Sequence, residues 1–489
     1  MCFTVSRWNG VLKMNLPKQN NQKALGFSDL NRRQLMSGGM AGVAGLSLRA
    51  LATGLPMGFL LSGAMPAHAI GQRTKSLILA MSSDGESINC SHPGSFPTRG
   101  NDPRSAIQRP RGGGGSINGN AVTAADFANS AEIRMGDTTI QAPRFWRNVS
   151  QELLDRLNFF NLRTNANGHV ESGSVFKIHG ALLGLGGRGV EDIQSAIFQA
   201  LLDEDSSVNT VLQAPMVLTG GGNTRLFALF QQGVPLNRYT PVDIQELFLS
   251  GNGQAIDRMN DLYDSTIDAV YKDISASGTP EQKRFLDNYA ASREQASSLG
   301  DKLGDLLSGI NGSSKEDQAR ASVALTAANV SPVVVLRYQF SGDNHGSTDG
   351  EVRDTCIQID EMQLIHDLLK SQGIEDRVNY ATFDVFGRHL AHNGRGGRDH
   401  HNGHSTGILL GSNIKAGVTG GYETWNNSGN KRLRATGINS SNGTSNNPDI
   451  NGSETLAAYA RTLMSSVGIS EEGIDERLPA SRTVRGALK

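Results

Sequence analysis

Cysteine is scarce: Cys2, Cys90 and Cys356 are the three thiols in 489 residues. Three cysteines build no disulfide framework, and none stands in a CxxC or Cys/His spacing that would hold zinc through thiolates. Cys90 and Cys356 either pair once or stay free. Charge is also sparse, at 19% Asp, Glu, Lys and Arg, and no basic run of the kind that neutralises phosphates occurs. A nucleic-acid partner is therefore not expected. No GxxxxGK[ST] is present, so the glycine run at 112–115 reads as a flexible surface loop and not as a phosphate cradle. Glycine is plentiful, with 58 residues against 15 prolines, and 37% of the chain is hydrophobic. A chain of this length buries roughly 75% of its extended surface, enough for one large core.

The amino-terminal segment is different in kind. Up to residue 69 it carries seven basic side chains, Arg32 and Arg33 among them, against the single acid Asp29. The formal charge of the whole chain is -1, so the remainder is distinctly acidic. Asn31-Arg32-Arg33-Gln34 precedes a soft apolar stretch rich in Gly and Ala, which ends in Pro66-Ala67-His68-Ala69. Paired arginines, a mild apolar segment and a small-x-small end (Ala67, Ala69) are the marks of a cleavable twin-arginine signal. The expected partner is the twin-arginine translocase, the expected location periplasmic or extracellular, with no stable membrane span after cleavage.

The body, residues 70–489, reads as a single large α/β domain. Short apolar runs at 76–81, 211–218, 333–338 and 378–385 suit buried strands, and 146–163, 190–204, 361–371 and 454–467 carry helical spacing. Residues 240–310 look like a helical insertion, 91–120 a long loop, and 426–451 a surface excursion. Strand–helix alternation predicts a mostly parallel central sheet flanked by helices. Such a sheet places its ligand beyond the carboxyl ends of its strands.

Polar residues concentrate there. Seven of the eleven histidines lie between His345 and His404, and Asp84, Asp343, Asp384 and Asp399 stand at strand ends or in the same loops. Imidazole and carboxylate together suit a divalent ion such as Zn, Mn, Mg or Ca. Asp343 and His345, two residues apart, share a side of an extended segment. Arg398 either holds an anionic substrate or pairs with Asp399, and His401 is a second substrate-binding candidate. His366 reads as a surface or packed histidine, and His92 and His169 as ordinary loop residues.

Several segments together resemble the exported bacterial family called domain of unknown function 1501. Ser82-Ser83-Asp84-Gly85-Glu86 is similar to its segment after the first strand, and His179-Gly180-Ala181-Leu182 to its His-Pro-x-Leu element. Gly342-Asp343-Asn344-His345 keeps the Asp and His of its Gly-Trp-Asp-Thr-His pattern. Phe386-Gly387-Arg388 and Gly397-Arg398-Asp399-His400 follow its later blocks. The resemblance implies an alkaline phosphatase/sulfatase-like fold. It also implies a metal set drawn from Asp84, Asp343, His345 and His400, with Asp384, Asp399 and His404 behind them. The implied function is a metal-dependent hydrolase of phosphate or sulfate esters, acting on a small-molecule or glycan ester. The alternative is a non-catalytic envelope or extracellular binding protein on the same scaffold. No nucleophile stands out among Ser82, Ser83, Ser87 and Thr123. If the leader is a twin-arginine signal, replacing Arg32 and Arg33 by lysine will leave the precursor uncleaved in the cytoplasm. Immunoblots of cell fractions check this, and normal processing of the variant would exclude that route.

Overall fold

The computed structural model describes residues 75–97, 102–184, 191–204, 214–220, 229–231, 233–249, 304, 306–338, 342–427 and 430–489. The leader with Arg32, Arg33, Ala67 and Ala69, and most of the expected helical insertion, lie outside the described residues. Among them no helix is long and apolar enough to cross a membrane.

An eight-stranded sheet forms the centre. Its strands are β1 (Ser76–Met81), β2 (Leu157–Leu162), β3 (Met216–Thr219), β4 (Arg238–Tyr239), β5 (Val333–Arg337), β6 (Val378–Phe383), β7 (Ser405–Leu410) and β8 (Gly417–Thr419). Their order across the sheet is β4-β3-β5-β1-β6-β7-β2-β8. β7 is antiparallel to both of its neighbours and the other pairings are parallel. The fold is α/β with a mixed sheet. Its mostly parallel strands explain the continuous apolar runs, because β1, β2, β5 and β6 are buried along their whole length on both faces.

The side-chain alternation of β1 shows how. Ile78 and Ala80 enter one core, while Leu77, Leu79 and Met81 enter the other. β5 divides in the same way, Val334 and Leu336 against Val333 and Val335. Helices α2 (Lys315–Ala327) and α3 (Asp349–Ser371) close the first core through Leu325, Ile359, Met362 and Ile365. Helices α1 (Ile193–Glu204) and α4 (Thr455–Ser466) close the second through Ile197, Leu201, Leu463 and Met464. Burying each such side chain contributes about 1.5–3 kcal/mol.

Four local expectations need correction. The helical spacing over 146–163 resolves into two short helical turns, Arg144–Asn148 and Gln151–Leu154, and then strand β2, Leu-Asn-Phe-Phe-Asn-Leu. A strand buried on both faces shows no alternation, so its apolar positions mimic a helical pattern. Its two asparagines are satisfied by the β8 segment: Asn158 Nδ2 donates to the Lys415 carbonyl at 2.9 Å, and Asn161 Nδ2 to that of Thr419 at 3.4 Å. The 91–120 loop holds a hairpin, Gly114–Ile117 with Asn120–Thr123, turned at Asn118-Gly119 with φ 50° and 76°. Positive φ at both central residues is what such a two-residue turn requires. Gly113 is no loose linker either: a Cβ there would stand 2.1 Å from the carbonyl oxygen of Asp349, where α3 begins. Finally, residues 426–451 include part of a hairpin, Tyr422–Asn427 with Asn430–Ala435, and the Ile438–Ile450 bridge. Cys90 and Cys356 are both buried and free.

Glu361 is a buried acid of α3, 6% exposed, with Lys315 Nζ 3.3 Å away. Burial pushes its carboxyl up to about 7, only partly offset by Lys315. The native state thus keeps a proton that the unfolded chain loses near its ordinary value of 4.5. Stability is full below that value and falls as pH rises through about 7. Glu361→Gln should remove this fall, stabilising the protein by on the order of 2–3 kcal/mol at pH 8 and little at pH 4.5. Denaturant melts at the two pH values measure the difference.

Candidate metal centre

Five segments deliver polar side chains to one end of the sheet. The carboxyl ends of β1, β2, β5 and β6 lead to Asp84, His169, Asp343 and Asp384 in turn. β7 runs the other way, so its amino end lies there, and His400 precedes it. Asp343 adopts φ 58°, a left-handed conformation uncommon outside glycine, which aspartate tolerates better than most residues.

The histidine tautomers define the centre. His169 Nδ1 lies 2.5 Å from the Ser83 carbonyl oxygen, and His400 Nδ1 lies 2.9 Å from that of Asn167. A carbonyl only accepts, so each neutral ring carries its proton on Nδ1 and turns the bare Nε2 elsewhere. Both turn to one carboxylate. His169 Nε2 is 3.4 Å from Asp343 Oδ2, and His400 Nε2 is 3.1 Å from Asp343 Oδ1. Lone pairs set this close to an anion repel unless a cation lies between them. Ligand atoms bound tetrahedrally at 2.0–2.1 Å stand ~3.3 Å apart, close to the distances found. The ligand atoms of His169, Asp343 and His400 all lie within 4.8 Å of one another. This donor set fits a divalent ion, and carbonyl-anchored Nδ1 atoms are the usual backing of metal-bound histidines.

The electrostatics suit the same role. Burial opposes the charge of Asp343. The hydrogen bond and the charge of Arg388 outweigh it, holding the carboxyl far below the usual range. Burial lowers the pKa of His400, against the pull of the Asn167 carbonyl and Asp343, which keeps its ring neutral and able to ligate. The ring of Phe386 stacks on His400 at 4.0 Å and meets His169 edge-on at 5.0 Å, fixing both planes.

Two of the metal candidates read from the sequence, Asp343 and His400, come together here. His345 stands beside them, its Nε2 3.2 Å from Asp343 Oδ1 and 3.0 Å from His400 Nε2. Its Nδ1 faces Asp399 Oδ1 at 3.4 Å. Asp399 accepts a 2.9 Å hydrogen bond from Asn393, the main reason its carboxyl titrates low. Asp399 thus backs His345 and is one step removed from the centre. Asp84 Oδ1 flanks His169 Nδ1 at 3.5 Å.

The remaining candidates do not join the cluster of His169, Asp343 and His400. Asp384 is buried and accepts from the backbone N–H groups of Val385 at 2.6 Å and Gly85 at 3.2 Å. Burial and the charge of Asp84 push it up to about 7. His404 is fully buried, with Nε2 3.0 Å from Asn161 Oδ1 and its ring stacked on Tyr422. The expectation that Arg398 and His401 bind substrate is corrected by their burial, at 1% and 3% exposure. Arg398 Nε donates to Glu351 at 2.6 Å and its other nitrogens to the carbonyls of His389 and Gln108, so its charge is satisfied internally. His401 Nδ1 accepts from the Gly403 N–H at 3.2 Å.

His169 escaped the sequence reading because β2, the strand that delivers it, reads as helix. Recognising Leu-Asn-Phe-Phe-Asn-Leu as a strand would have made His169 the loop histidine beyond its carboxyl end. If His169 is a ligand, zinc at 100 times its dissociation constant will stabilise the wild-type protein by about 2.7 kcal/mol. His169→Ala should lose most of that gain in a thermal shift measurement, and an equal gain in the variant would remove His169 from the centre.

No curated protein matches the chain. A solved structure, that of Ps i-CgsB in complex with k-i-k-neocarrahexaose, aligns at 10% identity over 84% of this chain and 75% of that one. Its TM-score of 0.33 is too low to argue fold or function from. Residues 246–434, which contain Asp343, His345, Arg388 and His400 but neither Asp84 nor His169, match the family described as "Protein of unknown function (DUF1501)", in support of the motif resemblance.

Proposed function

We propose that the protein is an exported, metal-dependent hydrolase of phosphate or sulfate esters, built on an alkaline phosphatase/sulfatase-like scaffold. The observation that carries this reading is the convergence of two carbonyl-anchored histidines on the ionised Asp343. A divalent ion bound there would supply Lewis acidity and lower the pKa of a coordinated water. The chain's own part is to turn Nε2 of His169 and of His400 toward Asp343, keep Asp343 ionised and orient His345 through Asp399. The twin-arginine leader supports a periplasmic or extracellular setting, and that translocase carries proteins already folded. A site assembled from three separate segments exists only in the folded chain, which suits such a route.

One observation favours the alternative, a non-catalytic binding protein on the same scaffold. The hydroxyls considered as nucleophiles are poorly placed: Ser82, Ser83 and Ser87 are 1%, 5% and 4% exposed. Thr123 caps a short helix beyond the 114–123 hairpin. A hydrolase on this chain would then use water and form no covalent ester with the protein. The two readings part on a panel of aryl phosphate mono- and diesters and aryl sulfates, assayed with the mature protein purified without chelator. The hydrolase reading expects turnover of at least one class, lost on EDTA treatment and restored by Zn²⁺ or Mn²⁺. Asp343→Ala should lower kcat/KM by 100-fold or more, about 2.7 kcal/mol of transition-state stabilisation. A metal-loaded protein inert on every ester would leave the binding reading standing.

A further inference from the structure

Directly before His169 the chain reads Asn167-Gly168. An asparagine followed by glycine closes readily to a succinimide, because glycine leaves its backbone nitrogen open to close approach. Folded structure suppresses that closure wherever the reacting groups are engaged. Among the described residues, the side-chain amides of Asn118, Asn311, Asn393, Asn442 and Asn451 are each held by a hydrogen bond. At Asn402 the glycine is engaged instead, since Gly403 N–H donates to His401 Nδ1 at 3.2 Å. Asn167 differs from all of these. Its side chain is exposed, and neither its amide nor the N–H of Gly168 has a hydrogen-bond partner among the described residues.

The chemistry consumes water alone. The Gly168 backbone nitrogen gives up its proton and attacks Cγ of Asn167, forming the N–Cγ bond. The bond from Cγ to the side-chain nitrogen breaks, and that nitrogen leaves as ammonia with the proton. Water then opens the ring. Attack at Cγ gives aspartate with the main chain unchanged. Attack at the main-chain carbonyl gives isoaspartate, in which the chain runs through Cγ and is longer by a methylene. The carbonyl that faced His400 becomes a free carboxylate off the main chain.

That bond is a sensitive one. The Asn167 carbonyl lies 2.9 Å from His400 Nδ1, and His169 follows Gly168. The loop is pinned on both sides of it: Asn165 N–H donates to the Asn402 carbonyl at 3.0 Å, and Glu171 N–H to that of Gly168 at 3.0 Å. An added methylene therefore displaces the histidines and is not absorbed by slack chain. We propose that Asn167-Gly168 is a site of spontaneous deamidation, and that isoaspartate formed there unseats His169 and His400 together. Its effect on an ion rests on the metal reading above; the modification itself does not.

Mature protein is incubated in mildly alkaline buffer at physiological temperature. Peptide mapping by mass spectrometry, with aspartyl and isoaspartyl forms separated, follows each Asn-Gly pair, while Zn²⁺ is titrated calorimetrically at each time. The peptide carrying Asn167 should convert ahead of those carrying Asn118, Asn393, Asn402 and Asn442, with isoaspartate as its main product. Zinc affinity of the converted protein should fall by about 10–100-fold, the usual effect of losing the group that backs a ligand. Gly168→Ala is the control. The φ of −155° at this position suits any residue, and a Cβ would stand 3.7 Å from Glu171 Oε2, an ordinary contact. The variant should bind zinc as the fresh wild type does and keep that affinity through the incubation. Asn167 intact at the end, or converting behind another pair, would overturn the proposal. So would conversion at Asn167 without loss of affinity, or a Gly168→Ala protein that converts at the wild-type rate. A fresh wild type that takes up no zinc would refute the metal centre instead, and the peptide map alone would then decide the modification.

Discussion

The carboxylate of Asp343 is the anionic pole around which this end of the molecule is arranged. His400 and His345 approach one of its oxygens, His169 the other, and the Arg388 guanidinium grips the first from the protein side. Each of those residues comes from a different connection of the sheet or from a different point along one. An error of an ångström in any strand end would break the convergence. The left-handed conformation of Asp343 is part of the same constraint, a strained backbone held at the point of closest approach.

The sheet provides the necessary rigidity. β1 lies between β5 and β6, and all three are covered by hydrophobic cores on both faces, so their ends are fixed relative to one another. Beneath the ligands, the Arg398–Glu351 pair at 2.6 Å ties the loop carrying Asp399 and His400 to helix α3. Removing one partner of such a buried pair costs about 3–5 kcal/mol, because the other charge is left stranded. Arg398 therefore serves the site by anchoring its loop and not by meeting a ligand. The same close packing explains why the glycines at 112–115 are not slack: they let a hairpin lie directly on the start and first turns of α3.

Some of this was legible in the residues. Val-Val-Val-Leu-Arg and Ser-Leu-Ile-Leu-Ala-Met announce buried strands, and Asp343 and His345 follow the first of them closely enough to be placed together. His400 was legible through its dense histidine context. That context misled as well, because His401 and His404 share it and yet face the interior. Adjacent residues on a short strand point to opposite sides, and linear spacing does not say which side is the site. His169 was hidden by a different ambiguity, an aromatic strand with the apolar spacing of a helix.

The sequence by itself determined the class of the fold, the strands whose ends carry Asp343 and His345, and the chemistry available there. These depend on local patterning, which apolar runs and residue types express directly. Tertiary structure alone decided which histidines converge, which way each imidazole presents its lone pair, and that Arg388 stands against Asp343 while Arg398 is spent on Glu351. Those outcomes depend on the order of strands across the sheet and on backbone carbonyls far away in the chain. No single segment encodes either of them.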